Sequence, residues 1–250
     1  MMGKVYLVGA GPGAADLLTV RAVRVLARAD IVFHDALVED EVLDLAPQAE
    51  RIAVGKRCGA YATSQRFINK RLVDAAARHT VVVRLKGGDP MLFGRAQEEI
   101  DALTAAGVDV EVVPGVTAAL AAAADLNVSL TRRGVARSVA LVTPRVGEGE
   151  SPHVWARAAA SADTAVVYMG AGEADAVVAA LAAHGTDGAT PVVLVENAGR
   201  PTVAHAAGRL ADLPALAARR GGGPAVIVVG EVARDLVRQA WVSPGRRASG

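Results

Sequence analysis

Short apolar runs alternate with longer amphipathic stretches along the chain, and the alternation predicts an α/β fold. Residues 5–8 form an uninterrupted apolar run of strand length, and residues 17–28 follow with the spacing of an amphipathic helix. Residues 31–33 read as a second strand. Residues 64–78 read as a helix with Ile68, Leu72 and Ala76 on one face, and residues 81–85 as a β-branched strand. Residues 97–106 then predict a helix and residues 108–113 another strand. This βαβα order points to a mostly parallel sheet with helices on both faces. Strands that are apolar throughout suit a sheet buried on both sides.

Pro114-Gly115 interrupts the pattern. An Ala-rich helix follows through Ala124, and a second series begins near Ser138. In it, residues 139–143, 165–169, 192–195 and 225–229 are strand candidates, with helical stretches at 153–160, 173–184 and 210–218 between them. No internal repeat is visible. The interruption places a domain boundary at residues 114–118. That gives two α/β domains, 1–115 and 116–242, and a flexible tail over 243–250 that has no apolar period.

Composition narrows the class without choosing a function. The 250 residues carry 27 Lys+Arg against 26 Asp+Glu, a formal net charge of +1, which argues against a broadly basic nucleic-acid binder. Apolar residues make up 52 % and aromatic residues only 3 %, so the chain is too apolar to be disordered and its core must be built from Val, Leu, Ile and Ala. A single Cys, Cys58, excludes an internal disulfide framework and a multi-Cys zinc site. The His residues at 34, 79, 153, 184 and 205 show no metal-ligand spacing, and no metal is expected. The N-terminal apolar run is short and breaks at a Gly-Pro-Gly turn, unlike a secretory signal. The most apolar stretch, residues 116–124, falls well short of the ~20 residues that span a bilayer. The expectation is a cytoplasmic protein without membrane contact.

Three glycine-containing turns follow three of the expected strands. The first, Gly9-Ala10-Gly11-Pro12-Gly13-Ala14, satisfies the G-x-G-x-x-A dinucleotide fingerprint, and Asp35 lies roughly 20 residues on, where that fingerprint places its ribose-binding acid. The loop alone admits two readings, a backbone close to a ligand or an ordinary tight turn. Pro12 argues against pyrophosphate binding, because it removes an N–H from a loop that would have to donate N–H groups. The second turn, Lys86-Gly87-Gly88-Asp89-Pro90, combines two Gly with an acceptor-only carboxylate. The third is Pro114-Gly115-Val116-Thr117-Ala118. All three fall on the carboxyl edge of the predicted parallel sheet, where ligands bind in open α/β folds.

These turns belong to a longer series of segments: Val8-Gly9-Ala10-Gly11-Pro12-Gly13, Asp35-Ala36-Leu37-Val38, Val54-Gly55-Lys56-Arg57, Val83-Arg84-Leu85-Lys86-Gly87-Gly88-Asp89-Pro90, Phe93-Gly94-Arg95, Pro114-Gly115-Val116-Thr117-Ala118-Ala119, Val195-Glu196-Asn197 and Val228-Val229-Gly230-Glu231-Val232. In this order they resemble the tetrapyrrole methylase family, from Val5 to about Val232. The Gly-Pro-Gly and Pro-Gly-Val-Thr-Ala turns are general to that family. Val-Gly-Lys-Arg and Leu-Lys-Gly-Gly-Asp-Pro are similar to the members that methylate uroporphyrinogen III.

The resemblance implies two α/β domains with S-adenosyl-L-methionine held in the cleft between them and S-adenosyl-L-homocysteine as product. By position it implies cofactor contacts from Pro12, Gly87, Gly88, Asp89, Leu92, Thr117, Ala118, Met169, Ala198 and Ala225, and acid/base roles for Asp35 and Lys56. The implied reaction is C-methylation of uroporphyrinogen III through precorrin-1 to precorrin-2, on the way to cobalamin or siroheme, by a homodimer. No acidic residue precedes Gly9, as the common methyltransferase loop would have, which agrees with this separate fold.

The nucleophile in such a reaction is the electron-rich pyrrole ring, so no Ser or Cys nucleophile is needed. The enzyme must align carbon, methyl and sulfur and let a proton leave. Asp35 is the first candidate for the proton and Lys56 the second. An Asx-type turn residue and a surface lysine are the bland alternatives, and Lys56 could equally bind a substrate carboxylate. The tetrapyrrole substrate carries eight carboxylates and calls for local cations. Candidates are Lys56, Arg57, Arg66, Lys86, Arg95, Arg132, Arg133 and Arg145, with Arg95 ranked first and Arg132-Arg133 next. The chain departs from the family pattern at Arg132, where His is usual, at Ala96-Gln97, at Pro144-Arg145 and at Ala198, where Gly is usual. Competing readings are methylation of a later corrin intermediate or of another acceptor, a nicotinamide-dependent oxidoreductase built on residues 9–14 and Asp35, and a non-catalytic binding protein.

Overall fold

A computed structural model of the chain describes residues 2–54, 65–146 and 154–242. Its contacts divide it into two units, Met1–Ala118 and Ala119–Gly250. Among the described residues, the first unit runs β1 (Lys4–Gly9), α1 (Val20–Leu26), β2 (Ile31–His34), α2 (Asp40–Leu43), β3 (Glu50–Ala53), α3 (Gln65–Ala76), β4 (Val81–Lys86), α4 (Ala96–Ala105) and β5 (Val110–Val113). Helix α5 (Ala118–Asp125) leads into the second unit. That unit continues with β6 (Val139–Val142), α6 (Val154–Ser161), β7 (Thr164–Tyr168), α7 (Ala174–Ala183), β8 (Pro191–Glu196), β9 (Ala204–Arg209), α8 (Leu213–Ala217), β10 (Ala225–Gly230) and α9 (Arg234–Val242).

The first sheet is parallel throughout, in the order β3-β2-β4-β1-β5. Its strands alternate between two apolar layers, as the period of two requires. Tyr6 and Val8 of β1 join Val32, Val83 and Leu85 against Ala22, Val25 and Leu26 of α1 and Val42 and Leu43 of α2. Val5 and Leu7 face the other way, with Phe33 and Val82, against Ile68 and Leu72 of α3 and Leu103 of α4. The buried face of α3 is the predicted one.

The helix expected over residues 17–28 begins only at Val20, because the Thr19 hydroxyl accepts the Ala22 N–H at 3.1 Å and caps it. Residues 15–17 form a separate 3-10 turn. The short edge strand β3 and the single turn α2 were not predicted. β3 is Glu-Arg-Ile-Ala and mostly exposed, so it carries no continuous apolar run.

The second sheet has the order β6-β7-β10-β8-β9 and is mixed. β6 and β7 are parallel. β10 lies antiparallel between β7 and β8, and β9 returns antiparallel to β8. β9 is Ala-His-Ala-Ala-Gly-Arg, poor in strand formers, and owes its conformation to pairing with β8 from Pro191↔Arg209 to Glu196↔Ala204. The core on one face of this sheet collects Val167, Leu194 and Ile227 with Val177, Leu181, Leu210 and Leu213. The proposed tail 243–250 lies outside the described residues.

Candidate active site

The three glycine turns meet at one edge of the first sheet, because β4, β1 and β5 are neighbours and parallel. Their main chains approach so closely that side chains have no room. A Cβ on Gly9 would lie 2.6 Å from the Gly115 Cα and 2.7 Å from the Gly88 carbonyl oxygen. Gly88 has φ +70° and exchanges hydrogen bonds with Gly11: its N–H donates to the Gly11 carbonyl at 2.7 Å, and the Gly11 N–H donates back at 3.2 Å. Asp89 ties the set together. Its Oδ2 accepts the Gly115 N–H at 2.9 Å and its Oδ1 accepts the Met91 N–H at 2.8 Å. The carboxylate therefore organises the loop. Leu92, Thr117, Ala118 and Pro12 are half-buried along the same edge. An edge made of main chain and small side chains suits close approach by a nucleoside ligand.

Asp35 follows β2 at this edge, with its N–H on the Leu85 carbonyl at 3.3 Å. Its Oδ1 accepts from Arg84 Nη2 at 2.5 Å. Arg84 and Lys86 alternate along β4 onto the α3–α4 side, and both are buried. Glu99 of α4 is fully buried and meets them: Arg84 Nε donates to Oε1 at 3.1 Å and Lys86 Nζ to Oε2 at 3.0 Å. Gln65 of α3 adds a bond to Glu99 Oε1 at 3.1 Å. Burial, and after it the Arg84 charge, pushes the Lys86 ammonium below its usual value against the pull of Glu99. The layer that is apolar along the rest of this face thus ends in a charged cluster under Asp35. The placement of Lys86 corrects its reading as a cation open to substrate, since the strand turns it inward.

Among the described residues, the remaining candidate cations, Arg66, Arg95, Arg132, Arg133 and Arg145, are all exposed. Arg95 has φ 54° and forms a two-bond pair with Glu98, at 2.7 and 2.8 Å, on the exposed surface. The hydrogen bonds from Arg95 hold the Glu98 carboxyl below its usual value, and Glu98 in turn raises the Arg95 guanidinium. Arg132 sits in an exposed turn, 3.4 Å from Asp235, and Arg133, Arg66 and Arg145 are exposed. Lys56, Arg57 and Cys58 lie outside the described residues. In the second unit β7 and β8 run in the same direction and β10 opposite, so Met169, Ala198 and Ala225 gather at one edge, with Val226 paired to Tyr168 and Ala225 to Glu196. Met169 has φ 57° and is exposed. Among the described residues no cluster of three His, Cys, Asp or Glu could hold a metal ion, and no helix is long and apolar enough to cross a membrane.

The wound order also bears on the dinucleotide reading. A dinucleotide fold pairs its first strand with its second and feeds the glycine loop into a helix N-terminus. Here β4 lies between β1 and β2, and α1 begins beyond a 3-10 turn. A family model described as Tetrapyrrole (Corrin/Porphyrin) Methylases matches residues 4–214. The chain belongs to the tetrapyrrole methylase family.

The chain is 44 % identical over 240 residues to a uroporphyrinogen-III C-methyltransferase from Pseudomonas aeruginosa, covering 96 % of this chain and 98 % of that one. It is 45 % identical to siroheme synthase 1 of Cronobacter sakazakii over 96 % of its own length. It spans about half the length of the siroheme synthases it matches, 51 % for that one. The structure superposes on a uroporphyrin-III C-methyl transferase from Thermus thermophilus complexed with S-adenosyl homocysteine, with a TM-score of 0.82, 42 % identity and coverage of 93 % and 100 % of the two chains. Sequence reasoning missed Arg84 and Glu99. Two cations alternating in an apolar strand, with an acid in the next helix, were the available signal.

Proposed function

We propose that the chain is an S-adenosylmethionine-dependent C-methyltransferase that converts uroporphyrinogen III to precorrin-2 through precorrin-1, for siroheme or cobalamin synthesis. The observation that carries this reading is the meeting of three main-chain turns beside Asp35, in a chain that matches the P. aeruginosa methyltransferase over nearly the whole of both. S-adenosylmethionine supplies an electrophilic methyl group to a nucleophilic pyrrole carbon. Pro12, Gly87, Gly88, Asp89, Leu92, Thr117 and Ala118 bind it at the edge of the first sheet. Met169, Ala198 and Ala225 are the contacts assigned from the second unit. Asp35 takes the proton that leaves the methylated carbon. Its Oδ1 is held by Arg84, and Oδ2 has no hydrogen-bond partner among the described residues. Lys56 is a second proton-handling group, and Arg57, Arg95, Arg132 and Arg133 meet the substrate carboxylates.

The direct test is incubation with uroporphyrinogen III and methyl-labelled S-adenosylmethionine. Folded protein that binds S-adenosylhomocysteine yet transfers no label to the tetrapyrrole would sink the reading. Asp35→Ala should lower turnover by about 100-fold or more and leave S-adenosylhomocysteine affinity within about threefold, as expected for loss of a positioned base. Unchanged turnover would remove Asp35 from that role.

The proposed working form is a cytoplasmic homodimer. β6 supports it: this edge strand leaves Val139 and Leu141 each 37 % exposed on a sheet that has no further strand beside it among the described residues. Light scattering should give twice the 25.5 kDa chain mass, and a mass of one chain at micromolar concentration would rule the dimer out.

A further inference from the structure

The cluster beneath Asp35 has a direction. Arg84 places Nε on Glu99 at 3.1 Å and Nη1 on the Leu85 carbonyl at 3.1 Å, which leaves Nη2 to meet Asp35. A guanidinium is a rigid planar fork, so fixing two of its nitrogens fixes where the third points. Glu99 in turn is held from two further sides, by Lys86 at 3.0 Å and by Gln65 at 3.1 Å, and no part of it reaches solvent. Two acids and two bases alternate as Asp35, Arg84, Glu99 and Lys86, so the formal charges balance within the cluster. A fully buried carboxylate between two buried cations is costly to desolvate, and replacing the whole cluster, at 84, 86 and 99 together, by apolar side chains that continue the Val82, Ile68 and Leu103 layer would cost little or no stability. Stability alone does not explain it.

We infer that Glu99 is a positioning residue, which orients the Asp35 carboxylate by locking the Arg84 guanidinium on which Asp35 rests. The inference rests on the proton-handling role proposed for Asp35. Glu99 touches neither substrate nor cofactor in this account. It fixes Arg84, and Arg84 fixes the one carboxylate oxygen it touches, so that the other keeps a constant aim.

The test is a cycle of Glu99→Gln, Asp35→Ala and the double variant, read as kcat and KM with S-adenosylhomocysteine affinity measured by calorimetry. Glu99→Gln should lower kcat about tenfold or more while leaving the KM for S-adenosylmethionine and the S-adenosylhomocysteine affinity within about twofold. The double variant should be no slower than Asp35→Ala alone, because Glu99 acts only through Asp35. Arg84→Lys provides the same test should Glu99→Gln fail to fold. It keeps the charge but not the fork, so it should lose kcat to a similar degree and add nothing to Asp35→Ala. Losses that multiply in the double variants, or wild-type kcat in both Glu99→Gln and Arg84→Lys, overturn the positioning role. Wild-type kcat in Asp35→Ala overturns the role of Asp35 itself, and the positioning role with it.

Discussion

Gly115→Ala should destabilise the protein by about 3 kcal/mol or more and weaken S-adenosylhomocysteine binding with it. The added Cβ would collide with the Gly88 carbonyl oxygen and stand 2.8 Å from the Gly9 Cα. Neither neighbour is the end of a flexible side chain. Both belong to main chain that is itself hydrogen-bonded, Gly9 within β1 and Gly88 to Gly11. The clash can be relieved only by parting the ends of three strands that run side by side. In a domain pair of this size the expected fall in Tm is about 6–12 °C. Gly172→Ala is the control, since a Cβ there meets nothing nearer than Arg220 at 3.9 Å. Thermal unfolding of the two variants decides the matter, and a Gly115→Ala transition within about 2 °C of the wild type would show that the strand ends give way easily.

Arg84→Leu should cost about 3–5 kcal/mol, the range for breaking a buried ion pair by removing one partner. Arg84 is 3 % exposed and Glu99 0 %, and the substitution leaves the Glu99 carboxylate with Lys86 and Gln65 only. It also strips the Asp35 carboxylate of its partner. Arg95→Leu is the comparison, because the Arg95–Glu98 pair is open to water and should change stability by less than about 1 kcal/mol. Urea unfolding measures both. An Arg84→Leu loss no larger than that of Arg95→Leu would mean that the cluster is far less dependent on its central cation than its burial indicates.

Much of the first unit was legible in the sequence because its strands are apolar on both faces. Residues 5–8 and 81–85 could be read without knowing what packs on them, and the turns after them had to share an edge once the strands were parallel. The second sheet was harder. Nothing in residues 225–229 says that β10 runs opposite to its neighbours, because a strand buried on both faces reads the same in either direction. β9 has no run of branched or aromatic residues to announce it. At the site, Asp35 and the turns stood out by spacing, whereas Met169, Ala198 and Ala225 entered only through family resemblance. Lys86 was misread for a specific reason. It was expected among the cations that meet the substrate carboxylates, but Val82, Arg84 and Lys86 share one side of β4, and that side is covered by α3 and α4.

The mutual contact of Gly9, Gly88 and Gly115 also limits how this edge can diverge. In an ordinary core, an enlarged residue can be accommodated by a second substitution that trims its neighbour. Here the neighbours have no side chain left to trim. The spacing between the strand ends is therefore set by main chain against main chain, and side-chain repacking elsewhere in the unit offers no route to a wider variant of it.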